Sequence, residues 1–345
     1  MRKTFSILAA AAAALCTVAC NKDLNQSVPD INPAAQGGDR CTITVGVSSG
    51  AELVQTKASA DDYYLSDAEV KTLQILVFTG DALDAYKKVE NTKETTINCS
   101  NGARTIYAVV NGEDLSGIRS KTSFLARTSN GTQMGLDNGF TMIGSDDVTL
   151  PSSEKINISV SHLGCRVFLD NIIVKFKTSG LIGKSLTVKK IYLVNAPMDI
   201  NYGKTAAPTI WKNKMALDAD CAAILCDVFE NTVIPDGADA ANDLDIVIDK
   251  CYYCYPNPTT TDSSSSTWCP RKTRLVIEAE VNGNTYYYPI TLPILESNKS
   301  YEIANVTINH TGSDSPDIPV AFTDCQFKVT VAGWDTVNVT DGTTI

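Results

Sequence analysis

The chain has 345 residues, 43% of them hydrophobic, with 29 basic and 39 acidic side chains and a formal charge of −10. That length predicts two domains rather than one core, and the acidic balance argues against nucleic acid as a partner, because a phosphate backbone needs a basic face. Only His162 and His310 are present, which excludes three-histidine and HExxH metal centres.

The opening "MRKTFSILAAAAAALCTVAC" places Arg2 and Lys3 ahead of an apolar run from Phe5 to Val18. This is the order of an export signal, assigned to residues 1–19, and it is too short for a comfortable membrane span. Its end, "TVAC", resembles a lipobox in which Cys20 becomes the lipidated first residue of the mature chain, although Thr17 stands where leucine is usual. Ordinary secretory cleavage near Ala19 is the alternative. Removing residues 1–19 takes away Arg2 and Lys3 and no acid, so the formal charge moves from −10 to −12. Residues 20–40 are polar and carry Pro and Gly, the composition of a tether.

From residue 41 onward, period-two alternation of β-branched and aromatic residues dominates. Strands are predicted over 41–48, 71–80, 104–112, 155–162, 165–176 and 186–196, then over 244–257, 273–283, 285–293, 300–310 and 325–334. One helix is predicted within 112–129, and "DAEV" at 67–70 reads as a short turn. Many short strands with Gly, Asn and Asp turns predict antiparallel sandwiches. The handover near Ser161 to Cys165 divides the chain into domains at 41–163 and 164–345. Segments 196–223 and 256–272 interrupt the second half, the latter a Ser/Thr tract that reads as a surface loop. No internal sequence repeat is visible.

Chemistry is sparse. There is no GxSxG elbow, P-loop or GxGxxG, so no catalytic residue, metal or cofactor is predicted, and the chain does not read as an enzyme. Eleven cysteines are present. With Cys16 lost in the signal and Cys20 assigned to lipid, an odd number at irregular spacing remains, and most read as small buried residues on strands. "CYYC", Cys251 to Cys254, sits within a strand, where positions i and i+3 point to opposite faces. That geometry disfavours a redox dithiol or zinc site relative to inert strand residues, and a disulfide from either cysteine to Cys269 is the third reading.

The leader ending "ACNKD", the polar tether, the "TITV" strand, the loop around Lys57 and "EVKTLQILVFTGD" resemble the N-terminal half of the Bacteroidales fimbrillins, the major subunits of type V pili. "NKSYEIANVTINHTGSDSPDIPVAF" and "FKVTVAGWDTVNV" resemble that family's C-terminal end. The resemblance implies an all-β chain of two transthyretin-like antiparallel β-sandwich domains in tandem, exported as a lipoprotein precursor to the outer membrane and then to a surface fimbria that supports adhesion. It also implies trimming by an Arg- or Lys-specific surface protease in the loop after the first strand, followed by donor-strand exchange with other fimbrial subunits in a homopolymer. Here the loop carries Lys57, followed by Ala58, where better-known members have arginine.

The residues are consistent with that scheme. Ile43, Val45 and Val47 alternate with threonines, so loss of strand 41–48 would uncover an apolar groove and unpaired backbone groups. Phe327, Val329 and Val331 are expected to share one face of a C-terminal strand, with Val337 and Val339 beyond, as candidates for the donor. The alternatives are a minor, tip or anchor subunit, or a non-polymerising surface lipoprotein that binds glycan or protein and could use exposed loop tryptophans at Trp211 and Trp268.

Overall fold

The computed structural model describes residues 39–49, 67–131, 134, 138–214, 225–238, 248–262 and 268–334. In the first half the strands are β1 (Arg40–Ser49), β2 (Thr72–Thr79), β3 (Ala82–Glu90), β4 (Glu94–Ser100), β5 (Gly102–Val110), β6 (Thr128–Asn130), β7 (Met142–Leu150) and β8 (Ile156–His162), with a helix, α1 (Lys121–Ala126), between β5 and β6. The second half begins with β9 (Cys165–Val174), β10 (Ser185–Val194), β11 (Ala196–Pro197), β12 (Asp199–Asn201), β13 (Trp211–Lys212) and β14 (Cys226–Pro235). It continues through β15 (Lys250–Cys254), β16 (Arg274–Val281), β17 (Asn284–Thr291), β18 (Lys299–Ile308), β19 (Cys325–Phe327) and β20 (Thr330–Gly333).

The chain is an all-β tandem sandwich, and its two halves repeat one strand order. The first half runs β3-β2-β5-β7 and then β8-β1-β4. In the second half β14-β10-β16-β17 matches the former set and β18-β9-β15 the latter. This repeat is invisible in the sequence because a sheet fixes only which positions face inward, and many residue choices satisfy that. The sheets are not purely antiparallel, contrary to expectation: β1 runs parallel to β8, and β9 runs parallel to β18. Parallel neighbours need a long connection, and here the rest of each half supplies it.

Burial follows the alternation. In β2, Leu73, Ile75 and Val77 enter a core with Ile43, Val45, Ile106 and Ile158. Leu76 and Phe78, on the other face, join Phe124, Phe140, Tyr202, Tyr253, Tyr255 and Trp334 in a cluster that draws on both halves. A third core fills the second half around Val167, Leu169, Ile191, Ile277 and Ile303. Strands β6 and β12 pair across the halves, Asn130 opposite Asp199 and Thr128 opposite Asn201. The β16–β17 hairpin turns on Asn282 and Gly283, at φ of +52° and +82°, which suits the two-residue turn that a twisted hairpin favours.

Several strands were not legible. Strands β3 and β14 lie at sheet edges, and β7 exposes Ser145, Asp146 and Asp147 in its middle. The helix is also shorter than the segment predicted. It spans Lys121–Ala126, its start fixed by Ser120, whose Oγ accepts from the Ser123 N–H at 3.1 Å, and the chain then enters β6.

The segment 325–334 differs most from expectation. It forms two short strands, β19 and β20, both antiparallel to β18, with Lys328 and Val329 between them. The break inverts the face. Phe327 and Val329 pack against the core of the second half, whereas Val331 is exposed and Ala332 and Trp334 are buried. Phe327, Val329 and Val331 therefore do not share one apolar face.

Candidate functional site

Two features stand out: a slot that β1 fills, and a buried polar junction around Asp67.

Strand β1 is an internal strand. Its one neighbour is antiparallel β4, with Ile43 opposite Ile97 and Val45 opposite Thr95. Its other neighbour is parallel β8, with Val45 beside Ile156 and Val47 beside Ile158. Ile43 and Val45 are fully buried and Val47 is half-buried. Burying side chains of that kind contributes about 1.5–3 kcal/mol each, so an empty slot would lose this and leave two rows of backbone groups unpaired.

Both ends of β1 are fastened. At its start, Arg40 donates from Nε to Asn98 Oδ1 at 2.6 Å and from Nη2 to the Asn98 carbonyl at 2.8 Å. Cys41 stands directly opposite Cys99 across the ladder. Toward its end, Lys155 beside β8 pairs with Glu94 of β4, so the ion pair bridges the two neighbours of β1 across Gly46. A Cβ on residue 46 would lie 2.5 Å from Lys155 Cε, so a larger residue here would displace the lysine end of that ion pair.

The polar junction centres on Asp67. Its Oδ2 accepts from Arg166 Nη1 at 3.0 Å and from Trp334 Nε1 at 2.9 Å, and its Oδ1 accepts from the Tyr253 hydroxyl at 3.0 Å. His162 Nε2 donates to the Asp67 carbonyl at 3.0 Å, and the imidazole stacks on Trp334 with ring centroids 4.2 Å apart. Asp67 and Arg166 side chains are each 2% exposed. Burial pushes the Asp67 carboxyl above its ordinary range, against the opposing pull of Arg166, Trp334, His162 and Tyr253. No sequence signal marks this junction, because its members lie up to 267 residues apart. Asp67 is the first described residue after segment 50–66, and Trp334 is the last described residue before segment 335–345.

The other sequence-derived sites sort as follows. Cys20, Lys57, Ala58, Val337 and Val339 lie outside the described residues. Cys251 packs on the cluster shared by both halves, and Cys254 enters the core of the second half, so the two "CYYC" thiols face opposite ways. Cys254 Sγ lies 3.5 Å from Cys165 Sγ, a partner the sequence did not suggest in place of Cys269. Among the described residues no group of three or more His, Cys, Asp or Glu side chains is placed to hold a metal ion. His310 Nδ1 lies 2.7 Å from Thr178 Oγ1. The tryptophans do not form an exposed platform: Trp211 is buried, and half-buried Trp268 packs edge-on against it at 5.5 Å while its Nε1 donates to Asn195 Oδ1.

The fold is thus a tandem β-sandwich whose first strand lies in an internal slot. Residues 41–184 match the family described as Major fimbrial subunit protein (FimA), in line with the resemblance to the fimbrillins. Solved structures agree in fold. A proposed cell adhesion protein from Bacteroides eggerthii superposes with a TM-score of 0.63 at 19% identity, over 86% of this chain and 97% of that one. Another from Parabacteroides distasonis gives 0.60 at 17% identity, over 85% and 96%. A fimbrilin from Porphyromonas gingivalis gives 0.59 at 16% identity, over 86% and 98%. No curated protein matches the chain.

Proposed function

We propose that this chain is a structural subunit of a cell-surface fimbria that polymerises by protease-triggered strand exchange and so supports adhesion. In this reading it is not an enzyme, its partners are other fimbrial subunits, and its working units are the domains at 41–163 and 164–345. The precursor is exported by residues 1–19, lipidated on Cys20 and held at the outer membrane. A surface protease of Arg or Lys specificity cuts after Lys57, leaving a chain that begins at Ala58.

The observation that carries this reading is the placement of β1 between β8 and β4. An internal strand that leaves opens a two-walled slot, and only another strand of matching alternation restores both hydrogen-bonded ladders and the buried Ile43 and Val45 positions. While β1 is in place, that slot is closed to a second subunit. A cut after Lys57 frees β1, yet Asp67 stays pinned to Arg166, Tyr253 and Trp334. The donor is assigned to the segment beyond Trp334 that carries Val337 and Val339, since Phe327 and Val329 pack on their own core.

Lys57→Ala should accumulate full-length lipidated monomer without fibres, and N-terminal sequencing of wild-type fibres should begin at Ala58. Wild-type fibres that retain residues 41–57 would overturn the reading.

A further inference from the structure

Two pairs of cysteines occupy matching places in the repeated topology. Strand β1 corresponds to β9, and β4 to β15. Cys41 near the start of β1 faces Cys99 near the end of β4, and Cys165 at the start of β9 faces Cys254 at the end of β15. Each pair is directly opposite across an antiparallel ladder, where backbones about 4.5–5.5 Å apart fall within the Cα span that a disulfide bridges. All four are thiols in this structure. The Cys165 and Cys254 sulfurs are 3.5 Å apart in the core of the second half, both fully buried. Cys99 is fully buried, whereas Cys41 is half-buried.

We propose that Cys41 and Cys99 form a reversible disulfide that fastens β1 to β4, with Cys165 and Cys254 its buried counterpart in the second half. The lock acts on strand departure and so rests on the strand-exchange reading, whereas the bond itself does not. The oxidant is a disulfide, either of a thiol oxidoreductase or of a small thiol. The Cys41 thiolate attacks one of its sulfurs and expels the first thiol. The Cys99 thiolate then attacks the Cys41 sulfur of the mixed disulfide and expels the second. Two thiols become one disulfide, and the two electrons and two protons end on the two thiols derived from the oxidant.

The environments set the order of events. Burial, with Cys41 and Asp84 nearby, pushes the Cys99 thiol up to about 12, so exchange starts at the more accessible Cys41. The same access makes the Cys41 bond the first to be reduced, while the Cys165 pair is shielded in its core. A chain exposed at the cell surface meets conditions in which such bonds persist. With the bond closed, cleavage after Lys57 leaves the β1 fragment covalently held in its slot. Reduction then releases it, so assembly requires both a cut and a thiol. Strand β9 belongs to the half whose first strand stays, and a permanent bond there costs nothing in assembly.

The test uses the full chain treated with oxidised glutathione, alkylated without reduction, digested and mapped by mass spectrometry. Peptides holding Cys41 and Cys99 should be linked, and after a cut at Lys57 the fragment bearing Cys41 should leave on a denaturing gel only when dithiothreitol is added. The Cys41→Ser chain, changed at a half-buried position, should release that fragment without reductant. Complete alkylation of both Cys41 and Cys99 after oxidation overturns the inference, even if Cys165 and Cys254 are linked, and leaves strand exchange standing. A linked Cys41–Cys99 pair in a chain that is cut, reduced and still unable to polymerise supports the bond and removes the strand-exchange reading instead.

Discussion

Asp67→Ala tests whether the buried junction anchors the chain on the far side of segment 50–66. The substitution removes the acceptor for Arg166, Trp334 and Tyr253 together and leaves the guanidinium of Arg166 in a 2%-exposed site without its carboxylate. Breaking a buried ion pair from one side costs about 3–5 kcal/mol. Asp67→Asn keeps an acceptor oxygen and can donate to the Tyr253 oxygen. Because burial already penalises the charged carboxyl, the neutral replacement should be less damaging than Ala by about 1–2 kcal/mol, the size of the one or two neutral hydrogen bonds it keeps. Urea unfolding followed by tryptophan fluorescence reads this directly, since Trp334 lies in the junction. Glu94→Gln is the control. Its partner Lys155 is 43% exposed and Glu94 57%, so that change should cost about 0–1 kcal/mol. The sign with pH is also fixed. A carboxyl raised on folding adds stability that is complete below its unfolded value of about 3.9 and is lost as pH rises through its folded value. The stability difference between wild type and Asp67→Asn should therefore shift in favour of wild type on acidification. An Ala variant within about 1 kcal/mol of wild type, an Asn variant as damaged as the Ala variant, or a pH shift of opposite sign would refute the account.

Two further predictions bear on the ends of the chain. Cys20→Ala should abolish acyl labelling and leave the precursor uncleaved, and unchanged labelling would point to ordinary secretory processing near Ala19. Deleting residues 337–345 should give folded subunits that do not join, because Val337 and Val339 are the proposed donor residues; ladders that persist in mild detergent would place the donor elsewhere.

The all-β class and most of the long strands are legible in residue order alone, because a two-residue period in β-branched and aromatic side chains can be satisfied only by strands with one face buried. Ile43, Val45 and Val47 were readable as one face of a strand for that reason, as was the opposed direction of Cys251 and Cys254. Edge strands such as β3 were not, since an edge tolerates the lysines and acids that break the period. The C-terminal alternation misled because the period continues through Val329 in sequence while the backbone breaks there, and a one-residue slip turns every later side chain to the other face. Which distant residues meet is not written in that period. Sequence periodicity describes which way a side chain points, whereas partner choice follows from strand order and register, and those place β1 between β8 and β4, Cys41 against Cys99, and Asp67 within reach of Arg166, Tyr253 and Trp334. Buried polar groups must find partners wherever the fold brings them, so the junction exists only once both halves have closed around it.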